Sequence, residues 1–214
     1  MKLRTAPRIT MKIFLHACCG PCSLEPVRLL HEAGHQLTLG FMNSNIHPAA
    51  EYARRFDTLL AWAAEEGIPV VEGVYDPDSW EQSVTLCPPE QSAKRVVEGS
   101  TWLTGDRKNR CRACYRLRFE EAARYAAENG FEGVGTTLSI SPYQFTDVIE
   151  EELNRACKIH GITAVFQDFS ACYREATNRS RALGMYRQNY CGCHYSKEEA
   201  AQERAARKAR NAHK

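Results

Sequence analysis

Apolar residues along this chain follow two alternating rhythms. Lys12 to His16 is a short apolar run with the length of a buried strand, and Gln36 to Met42, Ile68 to Tyr75, Val134 to Ile140 and Ile162 to Phe166 read as further strands. Between them, apolar residues recur three and four apart. That spacing predicts helices over Ser23 to Ala33, Ala49 to Glu66, Tyr115 to Glu128, Thr146 to His160 and Thr177 to Leu183. Each is followed by a glycine that can close it: Gly34, Gly67, Gly130, Gly161 and Gly184. Strands alternating with helices of this size predict βαβ crossovers, hence an α/β fold with a mostly parallel sheet covered on both faces. The working crevice of such a sheet lies beyond the carboxyl ends of its strands. Thr136-Thr137-Leu138-Ser139, ending a later strand, is expected to face it.

Two segments depart from the rhythm. Asp76 to Asp106 is irregular and is expected to be a long insertion or mobile loop. Residues 197–214, rich in Ala, Arg, Lys and Glu, read as a basic terminal helix or a disordered tail. At 214 residues the chain is expected to form a single α/β domain over 1–214. Met1 to Thr10 is basic, but the apolar run Ile13-Phe14-Leu15 is too short for a signal segment, and no stretch approaches membrane-spanning length. A cytoplasmic location and no membrane partner are therefore expected.

Cysteine changes the picture. Seven of the ten fall in three short runs: Cys18, Cys19 and Cys22; Cys111 and Cys114; Cys191 and Cys193. Cys172 lies further upstream of the last pair. Core packing does not ask for thiols at spacings of one, two and three, whereas metal ligation and thiol–disulfide exchange do. The first run directly follows the first strand and so lands at the crevice, with Gly20-Pro21 supplying the bend. Cys111 and Cys114 are expected to open a helix whose N-terminus, with nearby cations, favours thiolate. Together these two runs of five thiols can offer the four soft ligands suited to a four-iron cluster or to tetrahedral zinc. Cys191-Gly192-Cys193 is a candidate two-electron couple. Cys157 reads as packing, as do Cys87 and Cys172. His16 and His194 adjoin the clusters, as proton donors or as structural groups.

The net charge is only +2, but Arg107, Lys108, Arg110, Arg112, Arg116 and Arg118 surround the second cysteine run. They are expected to hold a polyanion or to offset cluster charge. Three function classes meet these features: a metal-dependent reductase, a zinc-stapled RNA-binding module, and a dithiol oxidoreductase acting on proteins. Cys19-Gly20-Pro21-Cys22 matches a thioredoxin-like dithiol motif, but five further clustered cysteines and no evident later cis-proline segment weigh against that reading.

Four blocks are specific enough to carry a resemblance. His16-Ala17-Cys18-Cys19-Gly20-Pro21-Cys22-Ser23, Arg110 to Arg118, Thr136 to Gln144 and Tyr186 to Ser196 together resemble the QueH-type epoxyqueuosine reductases, over about Lys12 to Ser196. The resemblance implies a Rossmann-like fold related to the adenine nucleotide α-hydrolases. It implies reduction of an epoxide to an alkene on the modified wobble base of a transfer RNA. It implies a [4Fe-4S] cluster on Cys18, Cys19, Cys111 and Cys114, a redox-active disulfide pair at Cys191 and Cys193, and room for an additional iron, with Cys22 where some members carry aspartate. No dinucleotide fingerprint follows the first strand, so an external electron donor is implied. The base would leave its stack, supported by Tyr115, Tyr143, Tyr186 and Tyr190.

Overall fold

The computed structural model describes residues 10–85 and 104–212. Five strands form one sheet in the order β3-β2-β1-β4-β5, and every pairing is parallel. They are β1 (Lys12–His16), β2 (Gln36–Phe41), β3 (Val70–Glu72), β4 (Gly133–Thr136) and β5 (Thr163–Ala164). The helices are α1 (Gly20–Glu32), α2 (Ala49–Glu65), α3 (Pro77–Thr85), α4 (Thr104–Glu128), α5 (Thr146–His160), α6 (Tyr173–Ala182) and α7 (His194–Ala212). Short 3-10 turns cover Leu138–Ile140 and Ser170–Cys172.

Strand alternation divides the core into two. Ile13 and Leu15 of β1, with Leu37, Leu39 and Phe41, meet Leu24, Val27 and Leu30 of α1, Leu59 and Trp62 of α2, and Ala176 of α6. Phe14 points the other way and joins Phe119, Ala122 and Ala126 of α4 and Val148, Ile149 and Leu153 of α5. Both sheet faces are thus covered, as the α/β reading requires. A wholly buried side chain such as Phe119 contributes roughly 1.5–3 kcal/mol.

Helix α5 has the bounds its periodicity predicts. Asp147 sits in its first turn, Lys158 and His160 in its last, and Gly161 ends it at φ 65°, its N–H reaching Cys157. Cys157 is buried on the packed stripe, its thiol pushed up to about 12 by burial, which fits a packing role. Other expectations are corrected. Strands β3 and β5, at the two sheet edges, keep only a few residues of the longer runs expected. The run expected as a strand to Ile140 leaves the sheet at Thr136 and coils. The irregular segment contains α3, and Cys87 lies outside the described residues. The basic tail continues α7 to Ala212, and the His47–Pro48 peptide bond is cis, which the sequence did not disclose.

Gly40 shows how tightly β1 and β2 meet. A Cβ there would lie 2.2 Å from Cζ of Phe14, a buried ring already fixed against Tyr125 and Phe131. Gly40→Ala is expected to lower stability by about 1–3 kcal/mol, read as a lower guanidinium chloride midpoint. An unchanged midpoint would mean that the Phe14 ring has room to move.

Candidate active site

The strand order reverses direction at β1 and β4, and the chain leaves both strands into one crevice. The turn after β1 carries Cys18 and Cys19, and the first turn of α1 carries Cys22. Cys19 caps α1: its backbone is extended and its Sγ accepts the Cys22 N–H at 3.4 Å. Pro21 stands in the first turn, where its missing N–H costs no helical bond. The helix therefore starts earlier than the apolar spacing suggested, and all three thiols gather at its head.

The three sulfurs lie within 4.8 Å of one another. Cys19 and Cys22 approach to 2.7 Å, and Cys18 and Cys19 to 3.8 Å. Thr137, just past β4, accepts the Cys18 N–H at 3.2 Å and directs its hydroxyl to Cys18 Sγ at 3.5 Å. Gln188 Nε2 donates to Cys19 Sγ at 2.8 Å. Hydrogen bonds from Cys19, Cys22 and Thr137, and the charge of Arg118, hold the Cys18 thiol well below its ordinary value. Burial and the Cys18 neighbour push Cys19 up, and Cys18 and Cys19 push Cys22 up. Such a triad carries one negative charge with ease and resists further ionisation. A bound metal cation lifts that limit, because each thiolate then faces positive charge. The donor set fits a soft, thiolate-ligated metal.

The facing wall comes from α4 and the chain before α7. Cys114 and Cys193 pack in one buried cluster with Trp80, Val84 and Ala113. Cys111 and Cys114 do not open a helix: α4 begins at Thr104 and places both inside it. The Cys111 thiol is pushed up, by burial first and then by Cys191, Cys114 and Cys193, the reverse of the expected depression. Among the described residues, only Cys18, Cys19 and Cys22 stand as close together as ligands of one ion. Cys111 and Cys114 fall outside that group. A four-iron cube spreads its thiolates over separate corners and tolerates wider spacing than a single ion does.

Arg118, one turn beyond Cys114, is 2% exposed. Its Nε donates to Met42 C=O at 3.2 Å and a terminal N–H to Asn43 Oδ1, while another terminal nitrogen lies 3.9 Å from Cys114 Sγ. Among the described residues no carboxylate forms an ion pair with it, though Glu121 feels its charge, and the thiols of Cys114, Cys191 and Cys18 lie around it. Asn43 also donates to Ala17 C=O at 2.9 Å, which ties Arg118 to the cysteine turn. His16 is buried and neutral, its pKa lowered to about 3 by burial and by Arg118. Its ring nitrogens lie 3.2 Å from Met42 C=O and 3.0 Å from the Thr136 hydroxyl, a structural role.

The Cys191-Gly192-Cys193 loop is pinned from α2. Buried Arg55 donates to Cys191 C=O at 2.7 Å and Tyr190 C=O at 3.2 Å, and pairs with Glu51 at 2.7 Å. Gly192 has φ 149°, and a Cβ there would lie 2.8 Å from Asn45 Nδ2 and 3.0 Å from Ile46 Cγ1. Cys191 Sγ lies 3.8 Å from Gln144 Oε1, which also accepts the Tyr115 hydroxyl at 2.7 Å. No disulfide joins the described cysteines. Burial pushes the Cys191 thiol up and Cys193 up to about 12, while Arg118 and Arg55 pull Cys191 back.

Of the six cations expected to hold a polyanion or to offset cluster charge, Arg118 faces the thiols and the other five are spent on carboxylates. Arg107 and Arg110 pair with Glu199 of α7, Lys108 with Asp147, and Arg112 and Arg116 with Glu152 of α5. Of the tyrosines expected to stack a base, Tyr115 is buried, Tyr190 is half-buried with its hydroxyl on His47 C=O, and Tyr186 lies under Arg54. Tyr143 is 65% exposed. Arg55 was missed as a site residue, and Arg118 was named only as one of six cations around the second cysteine run. Their signal was a charge on an otherwise apolar stripe: Tyr52, Arg55, Leu59 and Trp62 on α2, and Tyr115, Arg118, Phe119 and Ala122 on α4.

A parallel α/β sheet with thiols gathered from three chain segments near its switch point defines an α/β protein with a thiol-rich site able to hold a metal. The family described as epoxyqueuosine reductase QueH matches residues 13–199, which include all three cysteine runs. A protein of that name from Histophilus somni is 32% identical over 201 residues, covering 91% of this chain and 76% of the relative. One from Acinetobacter baylyi is 32% identical, over 86% of this chain and 80% of its own length. One from Thermotoga maritima is 29% identical, over 90% and 94%. The chain belongs to the QueH family of epoxyqueuosine reductases, which are oxidoreductases. No described helix is long and apolar enough to cross a membrane.

Replacing Arg118 by Gln removes donors from buried Met42 C=O and Asn43 Oδ1. Unfolding in guanidinium chloride is expected to show a loss of about 2–4 kcal/mol. A loss below about 0.5 kcal/mol would mean that water satisfies both acceptors.

Proposed function

We propose that this chain reduces the epoxide of epoxyqueuosine at the wobble position of transfer RNA to the alkene of queuosine. The observation that carries this reading is the meeting, around buried Arg118, of a metal-competent thiol triad and a dithiol loop, in a chain of the QueH family. The reaction needs two electrons and two protons. Cys191 and Cys193 hold their protons at neutral pH, because burial raises both. In the net step both C–O bonds of the epoxide break, a C=C bond forms and the oxygen leaves as water. The two S–H bonds break and an S–S bond forms, so atoms and electrons balance. An external donor returns two electrons and two protons to the disulfide. Gln144, beside Cys191 Sγ, orients that thiol, and Arg55 holds its loop.

In this reading Cys18, Cys19, Cys111 and Cys114 hold a [4Fe-4S] cluster, and Cys22 is available to an additional iron. When bound, the cluster supplies one-electron transfer between the external donor and the site. Arg118 offsets the negative charge that the thiolates bring into the buried crevice. The abundance of unpaired thiols supports a reducing, cytoplasmic setting.

Protein purified without oxygen is expected to be brown, with about four irons per chain or slightly more. Zinc without iron under those conditions would leave a zinc-stapled module instead. Cys111→Ala is expected to lose the cluster and Cys22→Ala only a minor part of the iron. The reverse pattern would make the Cys18, Cys19 and Cys22 triad the metal site by itself.

Cys191→Ser and Cys193→Ser are each expected to keep wild-type iron and lose turnover by more than about a hundredfold, since one thiol cannot close the ring. Iron loss in either variant would make that residue a ligand. Activity in both would remove the dithiol from the mechanism.

A further inference from the structure

Beside the cysteine triad a cleft opens between α1, α6 and the chain before Cys191. Cys22, Ile140, Tyr173, Thr177, Arg187 and Gln188 are among the residues that line it. Tyr143, 65% exposed, meets Tyr173 edge-on with ring centroids 6.3 Å apart. Around this cleft the cations behave unlike those of α4. Arg174, Arg181 and Arg187 are exposed, and among the described residues none has a carboxylate partner. Arg174 and Arg181 are seven residues apart and so lie on one side of α6, next to Thr177 on the cleft wall. Arg54 is exposed as well and stacks on Tyr186, 4.0 Å from its ring centroid. Glu175 is the exposed carboxylate on the same helix, while Glu25 at the α1–α6 contact is taken by Arg28 and Arg179.

Building on the proposed reaction, we infer that this α6 face, and not the α4 face, is where the RNA docks. Arg174, Arg181 and Arg187 take backbone phosphates, and Tyr143 offers an open ring to a base on its way into the cleft above Cys22. Two independent observations converge here. The unpaired charge lies where the crevice has a mouth, and an exposed aromatic lies at the same mouth, the combination that single-stranded RNA rewards. The α4 cations satisfy neither condition. Releasing Arg107, Arg110, Arg112 and Arg116 would mean breaking pairs with Glu152 and Glu199, which are 2% and 7% exposed, and Lys108 and Arg124 are paired with Asp147 and Glu128.

The test compares two charge-removal variants by binding to a transfer RNA transcript across a salt series. One carries Arg174→Gln, Arg181→Gln and Arg187→Gln. The other carries Lys108→Gln and Arg124→Gln on α4. Each lost phosphate contact to a single strand should flatten log K against log salt by about 0.7, so the α6 variant is expected to lose about 2 in slope and roughly tenfold or more in affinity at ~0.1 M salt. Its iron content should stay at the wild-type level and its KM for RNA should rise with kcat retained. The α4 variant should bind within about twofold of wild type. Wild-type binding and slope in the α6 variant would overturn the inference, as would an equal loss in the α4 variant. A wild-type protein that binds no transfer RNA at any salt would instead count against the proposed reaction itself.

Discussion

A positive charge sealed inside the protein organises everything around it. The Arg118 guanidinium forms no ion pair with a carboxylate among the described residues, yet it is almost wholly withdrawn from water. An uncompensated buried charge is among the costliest arrangements a fold can contain. Here it is tolerated because carbonyl and amide oxygens of Met42 and Asn43 solvate it and because thiols of Cys18, Cys114 and Cys191 surround it. The three segments that supply those thiols are distant in sequence. Asn43 extends the link to Ala17, so the β2 end, the cysteine turn and α4 are set relative to one another by a few hydrogen bonds. The cation is thus both a geometric tie and the electrostatic reason that sulfur can carry negative charge in a dry crevice.

Much of this was legible in the residues. The alternation of strands and helices was plain because buried parallel strands are continuous apolar runs and their helices carry clear stripes. Helix α5 was read to its final residue because Gly161 stops it. Strand ends were harder, since β3 and β5 border the sheet and lose partners where their apolar runs continue. The start of α4 was invisible for another reason: Thr104 to Arg112 is polar and gains its helical form from packing and ion pairs, not from an apolar stripe. The thiol runs announced the site, but their grouping did not follow from spacing. Cys22 joins Cys18 and Cys19 through the helix head, while Cys111 and Cys114 turn to the Cys191-Gly192-Cys193 loop. Arg118 stood in sequence among five neighbouring cations, and its place on the apolar stripe of α4, which burial makes plain, separates it from them.

Charge offers the same lesson. A count of basic residues pointed to α4, where the density is highest. Density and availability differ, because Glu152 on α5 takes Arg112, Arg116 and Arg155, and Glu199 draws α7 onto Arg107 and Arg110. Those cations serve as mortar between helices. Arg174 and Arg181 of α6, and Arg187 beyond it, keep their charge for solvent or for a ligand.

Gly192 has a consequence for anyone wishing to move this dithiol elsewhere. The residue between the two sulfurs has no chemical duty, but its backbone is left-handed in φ and its missing side chain is occupied by Asn45 and Ile46. The flanking carbonyls of Tyr190 and Cys191 rest on Arg55, and the Gly192 carbonyl on His47 N–H. A tripeptide copied into another scaffold would bring the thiols and leave their conformation behind. The smallest transplantable module is the loop together with Asn45 to His47 and the base of α2, two pieces of chain more than a hundred residues apart.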